Sequence, residues 1–256
     1  MNKNILRQIA VVVAVVVTIA INVLANALPI NGQNTGEISD RFQVLFVPAG
    51  YVFAIWGLIY LGLIAYAIFQ ALPAQRDNPR LRSIFWPVIV SALANIAWIF
   101  LWHYNYLSLT VVAMLILLAS LIVVYLRLGI QKTPVSRGER WAVHVPFSIY
   151  LGWITVATIA NVTNLLWSAG WNGFGLSAQA WFLVMLAAAI IIAAAMALTR
   201  HDVAYLLVLV WAVVGIAVKL AGVPTVSTAA WVAAAVLAVL VVVAIVVKRP
   251  QPAASV

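Results

Sequence analysis

The sequence predicts an all-α integral membrane protein with about eight transmembrane helices. Composition is the first observation behind this. Of 256 residues, 66% are hydrophobic and only 7% are charged, with a mean hydropathy of +1.14. A water-soluble domain needs far more polar surface. Segment length is the second. The apolar runs are too long for barrel strands and do not alternate as such strands would. The third is the placement of basic residues, which fall in every other break between the runs.

Helices are expected at about 5–29, 47–72, 84–103, 106–127, 141–167, 178–199, 203–221 and 226–247, each long enough to cross a bilayer. In the first, Lys3 and Arg7 precede the apolar run and Ala25-Asn26-Ala27 resembles a signal-cleavage site. The run exceeds the roughly 7–15 residues of a signal sequence, so a retained helix is expected. Asn22 and Asn26, four apart, share one face. The connector at 30–46 is the longest, rich in Asn and Gly, and carries Glu37 and Asp40. Its length suits a lid over a helical bundle, and suits a passive connector equally.

The second helix opens in the stretch Phe46 to Tyr60, where a proline enters an apolar run and Phe53, Trp56 and Tyr60 recur at helical spacing. The third carries Asn95, Trp98 and Trp102 on one face. The fifth carries Tyr150, Trp153, Ala157, Asn161 and Asn164 as a continuous stripe, with Gly152 beside it to permit close helix approach. An amide in hydrocarbon is costly without partners, so these asparagines should face the bundle interior. Two readings stay open. The stripes are helix–helix glue at about 1 kcal/mol per contact, or they line a pocket of indole, phenol and carboxamide groups for a flat, largely apolar ligand. The connector at 168–177 is uncharged, with three glycines and two aromatics, and is expected at the membrane surface.

Lys3, Arg7, Arg76, Arg80, Arg82, Arg127, Lys132, Arg137, Arg140, Arg200, Lys248 and Arg249 fall on one side of this topology. Of the fourteen basic residues, only Arg41 and Lys219 fall on the other. The positive-inside rule then places both termini in the cytoplasm and requires an even number of crossings. The net charge of +9 is thereby a topology signal, and nucleic acid is not expected as a partner.

Several chemistries are missing. There is no cysteine, hence no disulfide and no thiolate metal site. Glu37, Asp40, Asp77, Glu139 and Asp202 are all expected in loops or at helix ends, which argues against carboxylate-based proton coupling. His103, His144 and His201 lie on different segments and are expected as interfacial polar anchors, with His103 the first to test should a porphyrin need an axial ligand. Lys219 reads as a snorkelling anchor. No catalytic residue, no metal ligand and no required cofactor are assigned, and enzymatic activity is not expected.

Three of these stripes together resemble the TspO family, the tryptophan-rich sensory or translocator proteins. Pro48-Ala49-Gly50-Tyr51-Val52-Phe53, then Trp56 and Tyr60, is similar to the family's W-x-P-P-x-W-V-F stretch with its following Trp and Tyr. Asn95 and Trp98 match the spacing of its L-N-x-x-W. Tyr150, Trp153, Ala157-Thr158 and Asn161 match the order of its P-Y-x-x-W, A-T and L-N elements. The second proline is here Ala49, the next tryptophan is Tyr51, the gap to Trp56 is one residue short, and Ile149 stands for the fifth-helix proline.

The resemblance covers roughly residues 1–167 and implies a five-helix TspO-like bundle there. Three additional helices at 168–250 and a short tail at 251–256 follow, and these helices would brace the bundle or mediate association, leaving a homodimer open. It implies a membrane-embedded binding or sensory protein for a hydrophobic planar ligand, tetrapyrrole (porphyrin or haem) or sterol-like, that regulates or moves it. Tyr51, Trp56, Tyr60, Asn95, Trp98, Tyr150, Trp153 and Asn161 are the implied ligand-binding residues. A bacterial cytoplasmic membrane is the expected location. A multi-helix secondary transporter for a small solute is the alternative, weakened by the lack of buried charge and of obviously broken helices.

Overall fold

The computed structural model describes residues 3–247. Lys248, Arg249 and the tail at 251–256 lie outside the described residues. The helices run in the order α1 (Lys3–Ala27), α2 (Thr35–Asp40), α3 (Ile55–Ala71), α4 (Pro79–Ser83), α5 (Phe85–His103), α6 (Leu107–Leu128), α7 (Arg137–Glu139), α8 (Val145–Ser168), α9 (Ala178–Thr199), α10 (Val203–Lys219) and α11 (Pro224–Val246). A 3-10 turn at Gly50–Ala54 leads into α3, and a π turn at Arg140–His144 leads into α8. Among the described residues there is no strand.

The eight long helices fall on the eight predicted segments, with ends displaced by a few residues. Seven spans are long and apolar enough to cross a membrane. The exception is α10, whose 17 residues rise about 26 Å, a little short of the roughly 30 Å hydrocarbon core. It is instead enclosed by protein along much of its length. Leu206, Leu209, Ala212, Ile216 and Ala217 are fully buried.

The hub of the bundle is α8, which packs against α6, α3 and α10. The membrane-length span ending in α8 is 61% buried over its most apolar stretch, against 28–44% for the other six such spans. Around it, α5 pairs with α6 and α1, α1 with α3, and α10 with α11, which in turn packs on α9. Pro146 sits just after the π turn. A proline inside a helix cannot donate to the carbonyl four residues back and crowds it, and one widened turn relieves both problems.

Two glycines let α10 dock. A Cβ on Gly152 of α8 would meet the Tyr205 carbonyl oxygen at 3.0 Å, and a Cβ on Gly215 of α10 would collide with Val52 in the 3-10 turn. The Gly215 carbonyl also accepts from the Ala49 N–H at 3.2 Å. The junction before α10 is polar and buried. Asp202 accepts from Tyr125 at 2.8 Å, from Ser148 at 2.6 Å and from the Tyr205 N–H at 3.2 Å. It lies at a helix end as expected, but it is wholly enclosed, and three donors satisfy its charge.

The end of the bundle that carries most basic residues is cross-linked by polar contacts. Gln8 donates to the Gln70 carbonyl at 2.6 Å and Gln70 returns a bond to the Gln8 carbonyl at 3.0 Å. Arg80 grips Glu139 with two bonds of 2.7 Å. That hydrogen-bonded pairing raises the Arg80 pKa above its ordinary value.

Candidate ligand-binding site

The predicted aromatic and amide stripes converge on one cavity between α3, α5, α6 and α8, beneath the 30–46 connector. Part of that connector folds as α2. Asn34 caps it, accepting from the Gly36 and Glu37 N–H groups at 3.0 Å each, while Glu37 accepts from the Asn34 N–H at 2.9 Å. This reciprocal cap satisfies the free donors of a helix too short to hold itself. The segment is then pinned. Ile38 and Phe42 pack on Trp102, and the Trp102 indole N–H donates to the Thr35 carbonyl at 3.2 Å. At its outer edge Lys219 of α10 pairs with Asp40 at 2.8 Å, and Arg41 donates to Asn105. Lys219, expected as a snorkelling anchor, is thus an ion-pair partner of the connector.

The cavity has a volume of about 50 Å³ and is lined by Thr35 and Ser39 of α2, by Pro48, Phe53 and Trp56, by Trp98 and Trp102 of α5, by Met114, and by Trp153, Val156, Ala157, Ala160, Asn161 and Asn164 of α8. Phe53, Trp56, Trp98, Trp102 and Trp153 give the wall its aromatic part. Trp98 stacks on Trp102 at 5.3 Å, Phe53 meets Trp153 edge-on at 5.8 Å, and Trp56 meets Trp153 at 6.3 Å. Three buried polar atoms of lining residues have no hydrogen-bond partner among the described residues: the Trp153 Nε1, the Asn164 Oδ1 and the Thr35 Oγ1.

The eight residues singled out from the sequence separate into three groups. Trp56, Trp98, Trp153 and Asn161 line the cavity. Asn161 is already engaged, accepting from the Trp98 indole at 3.1 Å and donating to Thr110 at 2.9 Å. Asn95, Tyr150 and Tyr60 are not among the lining residues. Asn95 accepts from Asn22 at 2.6 Å and donates to the Tyr150 hydroxyl at 3.0 Å, a buried chain joining α1, α5 and α8. Tyr60 stacks on Trp56 at 5.6 Å. Tyr51 is brought elsewhere. It is half-exposed on the 3-10 turn and packs edge-on against Trp211 of α10 at 5.5 Å.

Asn164, Phe53 and Trp102 were visible in the sequence as members of the stripes. Thr35, Ser39 and Thr110 were not, because nothing in a long polar connector or a lone threonine in the first turn of a helix marks which neighbour it will meet. The three histidines are buried within the protein. His103 sits with its Nδ1 2.8 Å from the Ile99 carbonyl oxygen, and it is not among the cavity-lining residues. Among the described residues, no group of three or more His, Cys, Asp or Glu is placed to hold a metal ion.

The family model described as TSPO-like protein matches residues 8–243. The chain belongs to the TSPO-like protein family. The match runs past residue 167 and through α9, α10 and most of α11, so the last three helices lie within the family-matched region. Among curated proteins and solved structures, none matches this TSPO-like chain.

Proposed function

We propose that this TSPO-like membrane protein binds a hydrophobic planar molecule with polar edges, of the tetrapyrrole or sterol class, in the aromatic cavity beneath α2. The observation that carries the reading is the set of three unpartnered polar atoms on a wall of mostly aromatic and aliphatic side chains. A buried polar group left without a partner costs about 1–3 kcal/mol. A ligand offering an acceptor to the Trp153 indole and a donor to the Asn164 carboxamide recovers that cost while stacking on Trp56 and Trp98.

At about 50 Å³ the enclosed space is on the scale of one or two water molecules, whereas sites for drug-sized ligands are roughly 300–1,000 Å³. Occupation by a planar macrocycle therefore requires the connector with α2 to lift from Trp102, which makes it a lid in function. The test is a titration of the purified full chain in detergent with protoporphyrin IX and with a sterol, read by tryptophan fluorescence. Saturable quenching that weakens in Trp153→Phe is the expected result. An absent response to both ligands, or an unchanged affinity in Trp153→Phe, refutes the assignment.

A further inference from the structure

A second and much larger opening lies at the basic end of the molecule, away from the aromatic cavity. It is a crevice of about 1750 Å³. Its floor is the start of α8 at Val145 and Ile149. One wall is the foot of α3 at Ile55 and Leu58, and the other is α10 from Val203 to Trp211, about 12 Å of helix rise. Both walls pack on α8, and they are tied together where the 3-10 turn meets α10, through the Ala49 N–H to Gly215 carbonyl bond and the Trp211 indole to Val52 carbonyl bond at 3.1 Å. The crevice is thus a wedge, pinched within the bundle and wide at the basic end.

Its two ends differ in chemistry. The narrow part is aliphatic and aromatic, with Leu58 and Leu207 about half exposed. The wide mouth is ringed by Lys132, Arg137, Arg140 and Arg200, with no carboxylate among its described lining residues. Arg200 lies over the Tyr125 ring at 5.4 Å, and none of the other three has an ion-pair partner among the described residues. Glu139, the acid closest to them in sequence, is committed to Arg80. Two further lining residues, His144 and His201, are more than nine-tenths buried, and each keeps a ring nitrogen, the Nε2 and the Nδ1 respectively, without a partner.

We propose that this crevice is a binding site for an anionic membrane lipid, with the phosphate headgroup held by Arg137, Arg140 and Lys132 and an acyl chain laid between α3 and α10. Charge complementarity selects the occupant. A zwitterionic lipid fills the apolar wedge equally well, but its own ammonium group offsets the phosphate and sits against the ring of cations. A free anion satisfies the cations but leaves the wedge without an apolar partner. Basic pockets between membrane helices hold anionic headgroups by this combination. His144 and His201 supply the polar contacts behind the phosphate. The site is independent of the aromatic cavity and stands whether or not that cavity binds a planar ligand.

The test uses the full chain in a neutral detergent. Retention of phosphatidylglycerol and of phosphatidylcholine with the same acyl chains is compared by native mass spectrometry, and the thermal midpoint is followed with each lipid and with inorganic phosphate. Phosphatidylglycerol should be retained preferentially and should raise the midpoint. The double variant Arg137→Gln/Arg140→Gln should lose about thirtyfold of that preference, as expected for two basic groups beside a headgroup. Arg82→Gln, which removes a charge from the same end but outside the crevice, should keep it. Leu58→Trp, which fills the wedge from a side chain with room around it, should lower retention of both lipids. Equal retention of the two lipids by the wild type, an equal midpoint rise with inorganic phosphate alone, or a Leu58→Trp variant that retains both lipids fully would overturn the proposal.

Discussion

At the scale of single residues, buried polar groups here do two different jobs, which the hydrogen bonds separate. Asn95 is structural. It accepts from Asn22 and donates to Tyr150, so Asn95→Leu leaves the Tyr150 hydroxyl without this partner and the Asn22 amide with only its bond to the Thr18 carbonyl. A loss of about 1–2 kcal/mol is expected, measured as a lower thermal midpoint in detergent. Trp153 is the opposite case. Its indole N–H has no protein partner, so Trp153→Phe removes no folding interaction of that group. Stability should change by less than about 1 kcal/mol, while affinity for a planar ligand that uses the N–H falls roughly fivefold, the equivalent of one hydrogen bond. A large midpoint loss in Trp153→Phe would reassign the residue to packing.

This division was only half legible in the sequence. Helical spacing put Asn95, Trp98 and Trp102 on one face and Tyr150, Trp153 and Asn161 on another, and the faces do meet. Periodicity identifies a face but not a partner, so it could not show that Asn95 and Tyr150 would satisfy each other. Tyr51 illustrates a different limit. Residues 50–54 form a 3-10 turn, with three residues per turn instead of 3.6. Tyr51, singled out only through its place in the family motif, is carried by this turn to face α10 instead.

At the scale of elements, the lid and α10 are joined. The Lys219–Asp40 pair is partly exposed, with side-chain exposures of 30% and 60%, and such pairs contribute at most about 1 kcal/mol. Lys219→Ala should therefore leave the thermal midpoint nearly unchanged. It should speed both association and dissociation of a cavity ligand, read by stopped-flow fluorescence, because one tether of α2 is gone. Unaltered rates would mean that Trp102 and Phe42 alone hold the segment down. The connector's length pointed to a lid and to a plain loop equally. What pins the segment down, the buried face of Ile38 and the contact of Thr35 with Trp102, depends on residues more than sixty positions away in the chain.

At the scale of the whole molecule, eight apolar segments and their order were readable, because length and hydropathy are local properties. How the last three helices attach was not. The docking of α10 depends on Gly152 and Gly215 and on Asp202 reaching Tyr125 and Ser148, contacts spanning 50 or more residues of sequence. A chain ending after Ser168 would leave the Gly152 face of α8 uncovered and the Tyr125 and Ser148 hydroxyls without their acceptor. Such a truncation is expected to lose its folded state, seen as aggregation on size exclusion and a lost cooperative thermal transition. A monodisperse, cooperatively melting fragment would instead establish residues 1–167 as a self-sufficient unit.

The position of α10 has one further consequence. Its first turn borders the basic crevice, and its last residue, Lys219, holds the lid over the aromatic cavity. The same helix therefore touches both openings, one at each end. Thermodynamic reciprocity then fixes the exchange rate. Whatever factor an occupant of the crevice applies to affinity in the aromatic cavity, the cavity's ligand returns to the crevice unchanged. If both proposed sites are filled, the surrounding bilayer's composition would become an input to what the protein holds in its interior.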